Sequence, residues 1–127
     1  FHETAERMRR RGMVVVPADL LDGETPILKA LRHLRHRRHE VILFHVLDPA
    51  EESLPWRRIH EFIDLETGER LRVDPPAIRA QYQEEIRNFR QRYRRECSAS
   101  GVDYVAVNTG EPLEQMLLRY LVRRARA

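Results

Sequence analysis

The chain has 127 residues and a mass of 15.2 kDa, with 42% hydrophobic and 34% charged residues and a net charge of +3, which suits one globular domain and excludes a multidomain machine or a disordered tail. No apolar run approaches the roughly 18 residues of a membrane span, and no secretory signal pattern opens the chain. A single cysteine, Cys97, excludes an internal disulfide and a cysteine-built zinc site, so a reducing, cytoplasmic setting is expected.

The opening stretch through Arg11 reads as the end of a helix stopped by Gly12, which implies further chain upstream of Phe1. Met13 to Val16 is a continuous apolar, β-branched run ended by Pro17-Ala18-Asp19, the pattern of a strand buried on both faces. Thr25 and Pro26 start an amphipathic helix with Ile27, Leu31 and Leu34 on one face and a basic end at His39. Val41 to Val46 is a second strand, interrupted in pattern by His45 and ended by Leu47-Asp48-Pro49. Ile59 to Asp64 and Arg70 to Val73 predict two short strands joined through Glu66-Thr67-Gly68-Glu69, where Gly68 supplies the positive φ of a tight hairpin. Asp74 caps a long helix with the stripe Ile78, Tyr82, Ile86, Phe89, Tyr93 and Cys97, stopped by Gly101. Tyr104 to Val107 is a third buried strand, and after Asn108-Thr109-Gly110 a last helix carries Leu113, Met116, Leu117, Tyr120 and Leu121 as its inner stripe.

Strand and helix alternate, so the expected fold is α/β: a partial doubly wound, Rossmann-like parallel sheet with crossover helices and a small β-hairpin excursion at about 48–74. Three principal strands make half of such a sheet. Charge is uneven. Residues 29–39 carry Lys29, the only lysine, with Arg32, Arg35, Arg37 and Arg38 and no acid, whereas residues 48–74 carry eight acids against four arginines. The arginine stripes read as solvated helix faces; no aromatic-studded RNA-binding strand or helix-turn-helix pair appears, so no specific nucleic acid is expected.

Asp19 leaves a strand at the carboxyl edge, where α/β sheets hold ligands. It suits a hard cation such as Mg²⁺, and it equally suits a loop cap. Asp22, Asp48 and Asn108-Thr109 lie at other strand exits and read first as turn or cap residues. His33, His36 and His39 recur at three-residue spacing, but among so many arginines they read as a solvated basic face rather than a metal site. His45 reads as a hydrogen-bonded core or edge residue, and Cys97 as core rather than nucleophile. No phosphate loop, nucleophile elbow, dinucleotide fingerprint or His-Glu-x-x-His motif is present, which lowers the case for an enzyme.

The segments Arg11 to Asp22, Leu31-Arg32-His33-Leu34 and Glu40 to Pro49 resemble the carboxyl-terminal half of the bacterial von Willebrand factor A-like proteins catalogued as domain of unknown function fifty-eight. Phe62 to Glu69, Val73-Asp74-Pro75, Gly101 to Tyr104 and Thr109 to Leu113 are similar to that family's closing segments, so the resemblance spans nearly the whole of 1–127. It implies a von Willebrand factor A-like fold, found beside MoxR-type AAA+ ATPases, and a non-enzymatic adaptor acting with such an ATPase or its client protein. It also implies a metal-ion-dependent adhesion site in which Asp19 matches the aspartate after the fourth strand, with Mg²⁺ or Mn²⁺ in the intact protein. Ala18 stands where family members commonly carry Ser, and the serine loop and threonine of that site would lie upstream of Phe1, so no ion is expected in this chain by itself. A Mg²⁺-dependent phosphoryl-transfer or hydrolase domain using Asp19 is the alternative. The strand at 13–16 would normally pair with a strand of the missing half, so in isolation it presents an open, apolar edge through which the chain could self-associate; no membrane contact is expected of this segment, although the intact protein could carry an anchor upstream.

Overall fold

Short β-branched runs separated by helix-length amphipathic segments cannot pair as hairpins, and the chain accordingly folds by crossovers. The computed structural model describes residues 2–20, 24–53, 60–63, 66–73 and 75–127. Along these run α1 (His2–Arg7), β1 (Met13–Ala18), α2 (Glu24–His36), β2 (Glu40–Leu47), α3 (Pro49–Ser53), β3 (His60–Ile63), β4 (Arg70–Val73), α4 (Pro75–Ser100), β5 (Asp103–Asn108) and α5 (Leu113–Ala125). One sheet has the order β1-β2-β5 and is parallel throughout, with Ala18 opposite His45 and Leu47 opposite Asn108. This is the expected partial Rossmann-like α/β sheet. A separate antiparallel pair, β3 and β4, forms the expected hairpin, with Gly68 at φ 74° in its turn; the cap expected at Asp74 lies outside the described residues.

Two apolar cores lie on opposite faces of the sheet. On one, Leu31 and Leu34 of α2 and Tyr93 and Cys97 of α4 pack with Val16, Val41 and Leu43, and Ala5 of α1 joins them. On the other, Met116 and Tyr120 of α5 cover Ile42 and Val105, with Phe44 and Val107 alongside. No β1 residue belongs to this second cluster. Met13 and Val15 are therefore 53% and 47% exposed, which corrects the expectation of a strand buried on both faces: α5 lies over β2 and β5, and β1 extends beyond its cover.

The helix ends that lead into β2 and β5 are closed by backbone bonds. After α4 the Val102 N–H reaches the Cys97 carbonyl at 2.8 Å and the Gly101 N–H reaches Ser98 at 3.2 Å, with Gly101 at φ 71°. That is the paired 6→1 and 5→2 pattern that satisfies the last carbonyls of a helix, and Val102 folds its side chain back into the core beside Cys97. After α2 the same pattern recurs, His39 to Leu34 at 3.2 Å and Arg38 to Arg35 at 2.8 Å, but the left-handed position is filled by Arg38 at φ 66°.

Three other expectations need adjustment. The first helix stops at Arg7 rather than continuing to Arg11. The apolar stripe of α4 is buried only in its second half: Tyr93 and Cys97 are fully covered, while Ile78 is exposed. A 26-residue helix runs to roughly 39 Å at 1.5 Å per residue, about twice the length of a six-residue strand, so its first half overhangs the sheet. In α5, Leu113 and Leu121 prove exposed and only Met116 and Tyr120 are buried, because the helix covers β2 and β5 alone.

Candidate functional site

The carboxyl ends of the three strands form one rim. Its β2–β5 side is built from the sequence Leu47-Asp48-Pro49 meeting Asn108-Thr109-Gly110. Asp48 precedes α3, its carboxylate accepting the Ala50 N–H at 2.8 Å, while its own N–H donates to Glu51 Oε2 at 2.9 Å. This reciprocal arrangement is a capping box. The second carboxylate oxygen of Asp48 accepts the Thr109 hydroxyl at 3.2 Å, and Asn108 Oδ1 accepts the Gly110 N–H at 2.8 Å. A Cβ on Gly110 would come within 2.7 Å of Pro49 Cγ, so only glycine lets the two loops approach. Asp48, Asn108 and Thr109 are thus the cap and turn residues their types suggested. The Asp-x-x-Glu spacing of Asp48 and Glu51 is a helix-start signal, and α3 opens the segment expected to be a hairpin excursion alone.

Asp19 sits on the β1 side of the same rim, exposed, one residue beyond Ala18 and so level with Val46. Leu20 behind it is buried and holds φ 62°, a left-handed conformation rare for a branched aliphatic residue, so the chain turns sharply as its side chain drops back into the core. That anchored turn sets the direction in which Asp19 leaves the strand. Among the described residues no group of three His, Cys, Asp or Glu side chains is gathered that could hold a metal ion. With the Asp48 carboxylate committed to two hydrogen bonds, the described residues do not fit a complete metal centre. Asp22 lies outside them.

The histidines separate into different environments. His39 is fully buried beyond the end of α2 and its Nδ1 accepts the Gly12 N–H at 3.3 Å, which corrects its placement on a solvated face; His33 is half-buried and His36 lies in the open. His45 on the central strand is equally buried, as expected of a core residue, and meets the Tyr104 hydroxyl at 2.7 Å. Phe89, Tyr93 and Tyr104 surround its ring with centroids 5.6, 6.2 and 5.9 Å away. Burial pushes the Tyr104 phenol up to about 12 against the lowering pull of Arg90 and Arg94, so it keeps its proton in this contact. Burial likewise pushes the Cys97 thiol up to about 11; this is the environment of an inert core cysteine, not a nucleophile.

Among the described residues, the edges of the sheet leave strand backbone without a strand partner. The Glu40 N–H donates to the Gly12 carbonyl at 2.9 Å and the Thr109 N–H to the Leu47 carbonyl at 2.9 Å. Alternation along each strand then turns the backbone groups of Met13, Val15 and Pro17 away from β2 on one edge, and those of Tyr104 and Ala106 away from it on the other. Pro17, which has no N–H, falls on the outward side, where a strand tolerates it. Among the described residues no strand covers either edge of this sheet, and no helix is long and apolar enough to cross a membrane.

No curated protein and no solved structure matches the chain. The family model described as protein of unknown function DUF58 matches residues 2–92, from α1 through most of α4, including the β1–β2 sheet pairing and the Asp19 turn. The chain therefore belongs to the DUF58 family.

Proposed function

We propose that the chain is a non-enzymatic protein-interaction module, an adaptor that works with a MoxR-type AAA+ ATPase or its client protein. The observation that carries this reading is the open edge of β1, where Met13, Val15 and Pro17 turn their backbone groups outward and Met13 and Val15 leave their side chains half-exposed. An uncovered apolar strand edge is a template for pairing with a further strand. The von Willebrand factor A-like relationship supplies the class of partner, and Asp19, on the rim at the end of that same strand, is the residue through which a divalent ion would enter in the intact protein.

The test is binding of the chain to a purified MoxR-type ATPase, followed by light scattering and by titration calorimetry. Val15→Lys places a charge on the outward edge without touching the β1–β2 ladder, so the melting curve should hold while binding falls at least about tenfold. A variant that binds as the parent chain does would reject the edge as the contact. Self-association through the same strand is tested in the absence of the ATPase: a concentration-dependent dimer should vanish with Val15→Lys.

A further inference from the structure

The opposite edge of the sheet differs in chemistry from β1. Beside β5 runs a groove of about 1150 Å³, all of whose lining residues lie beyond the family-matched segment. One wall is α5 and its closing residue, where Arg119, Arg123 and Arg126 follow one another at helical spacing with Leu118 and Val122 beside them. The other wall is α4, which contributes Arg94, its guanidinium 5.9 Å from the centre of the Tyr104 ring. Arg119 is paired with Glu111 at 2.6 Å. No carboxylate side chain lines the groove itself.

We infer that this groove receives an acidic, extended peptide segment of a partner protein, which adds to the outer edge of β5 as a fourth strand. Two independent features converge on that occupant. Tyr104 and Ala106 turn their backbone N–H and C=O groups into the groove, and these main-chain groups recognise an extended backbone and nothing else so well. A strand laid there, about 4.8 Å from β5, would send alternate side chains toward α5 and toward α4, so that both rows meet arginine. The arginines give long-range attraction for carboxylates and forked hydrogen bonds at contact, while Leu118 and Val122 offer a short apolar shelf to one side chain of the α5-facing row. A nucleic acid would satisfy the arginines but leave the β5 edge groups without the repeat they match. The inference deepens the interaction-module reading but stands on the other edge of the sheet, and Val15→Lys leaves it untouched.

Fluorescence polarisation with the full 127-residue chain tests it. The probe is a dye-labelled peptide of about eight residues alternating Glu and Val, compared with its Lys-Val counterpart, with the same Glu-Val peptide N-methylated at alternate residues, and with a single-stranded RNA of similar charge. The expected result at about 0.15 M salt is saturable binding of the Glu-Val peptide, none of the Lys-Val peptide, and at least about tenfold weakening by N-methylation, which removes strand pairing while keeping every charge. Arg123→Glu together with Arg126→Glu, both on exposed positions, should weaken the parent peptide by a similar factor with an unchanged melting curve. Equal binding of the methylated peptide, no binding up to about 1 mM, or preference for the RNA would each overturn the inference. Loss of the peptide with ATPase binding intact, or the reverse, separates failure here from failure of the adaptor reading.

Discussion

The Thr109 hydroxyl donates to one carboxylate oxygen of Asp48 at 3.2 Å while the other accepts the Ala50 N–H at 2.8 Å, so a single side chain ties the start of α3 to the loop after β5. Asp48→Ala removes a helix cap and a cross-loop acceptor together and is expected to cost about 1–2 kcal/mol in urea unfolding. Gly110→Ala attacks the same junction sterically, since its new methyl would stand 2.7 Å from Pro49 Cγ, and should cost about 1–3 kcal/mol. Thr109→Val, which loses only the hydroxyl, should stay below about 1 kcal/mol. A junction in which Asp48→Ala is neutral would mean that the capping box does not hold α3 in solution.

A stabilising substitution is available at the end of α2. Arg38 is exposed and sits at φ 66° in the position that closes the helix, where a Cβ is strained and glycine is at ease. Arg38→Gly is expected to raise stability by about 0.5–1 kcal/mol and the melting temperature by several degrees, despite the extra freedom it gives the unfolded chain. The comparison position is Gly101 at φ 71° after α4, where Gly101→Ala should destabilise because the strain is compounded by the Arg35 guanidinium 3.0 Å from the added carbon. Opposite signs for the two variants are the expected outcome of differential scanning calorimetry.

The alternation of elements was legible because each strand and crossover helix has its own period: the β-branched run at Met13, the Ile27–Leu31–Leu34 face and the four-residue steps down α4 all correspond to real elements. Burial was less legible, because it depends on what lies across the sheet. Val15 and Leu121 are as apolar as Leu43 and Tyr120, and only the two-strand reach of α5 decides which of them are covered. His39 shows the same limit. Its neighbours Arg37 and Arg38 are exposed, yet the left-handed turn at Arg38 carries the next residue into the interior to accept from Gly12. The groove beside β5 was invisible for a related reason: Arg94 and Arg123 lie on different helices, and the arginine stripes read as solvated faces until β5 brings them to one edge.

Alkaline pH should unfold the protein earlier than its charge balance suggests. Cys97 is held up from 9.0 to about 11 and Tyr104 from 10.0 to about 12, in both cases chiefly by burial. Both groups are neutral when protonated, so the unfolded chain releases their protons first and binds fewer than the folded chain once pH exceeds the ordinary values. Stability is therefore complete below about pH 9 and falls progressively as pH rises toward 12. Urea midpoints measured against pH should show this decline, Cys97→Ala should remove the part between about 9 and 11, and Tyr104→Phe should flatten the upper part. The native thiol should also resist a soluble disulfide reagent at pH 8, reacting only as fast as the chain opens. A midpoint constant to pH 11 would contradict the buried, protonated state of both groups.

Asp19 carries the sharpest test of metal binding, because the described residues place no three-ligand group around it. A closed divalent site needs several oxygen ligands, and one exposed carboxylate with water leaves an ion nearly as hydrated as in solution, with affinity too weak to saturate at micromolar metal. The chain on its own is thus expected to give no saturable Mn²⁺ signal in electron paramagnetic resonance titrations and no change in melting temperature between chelator and about 1 mM Mg²⁺. Were a site of about 10 μM present, that concentration would stabilise the fold by about 2.7 kcal/mol, an effect far above detection. Asp19→Ala should cost no more than about 1 kcal/mol in the melt, the range of a solvent-exposed polar contact. Saturable Mn²⁺ binding that disappears in Asp19→Ala would instead require further ligands beyond the described residues, with Asp22, three residues along, as the first to substitute.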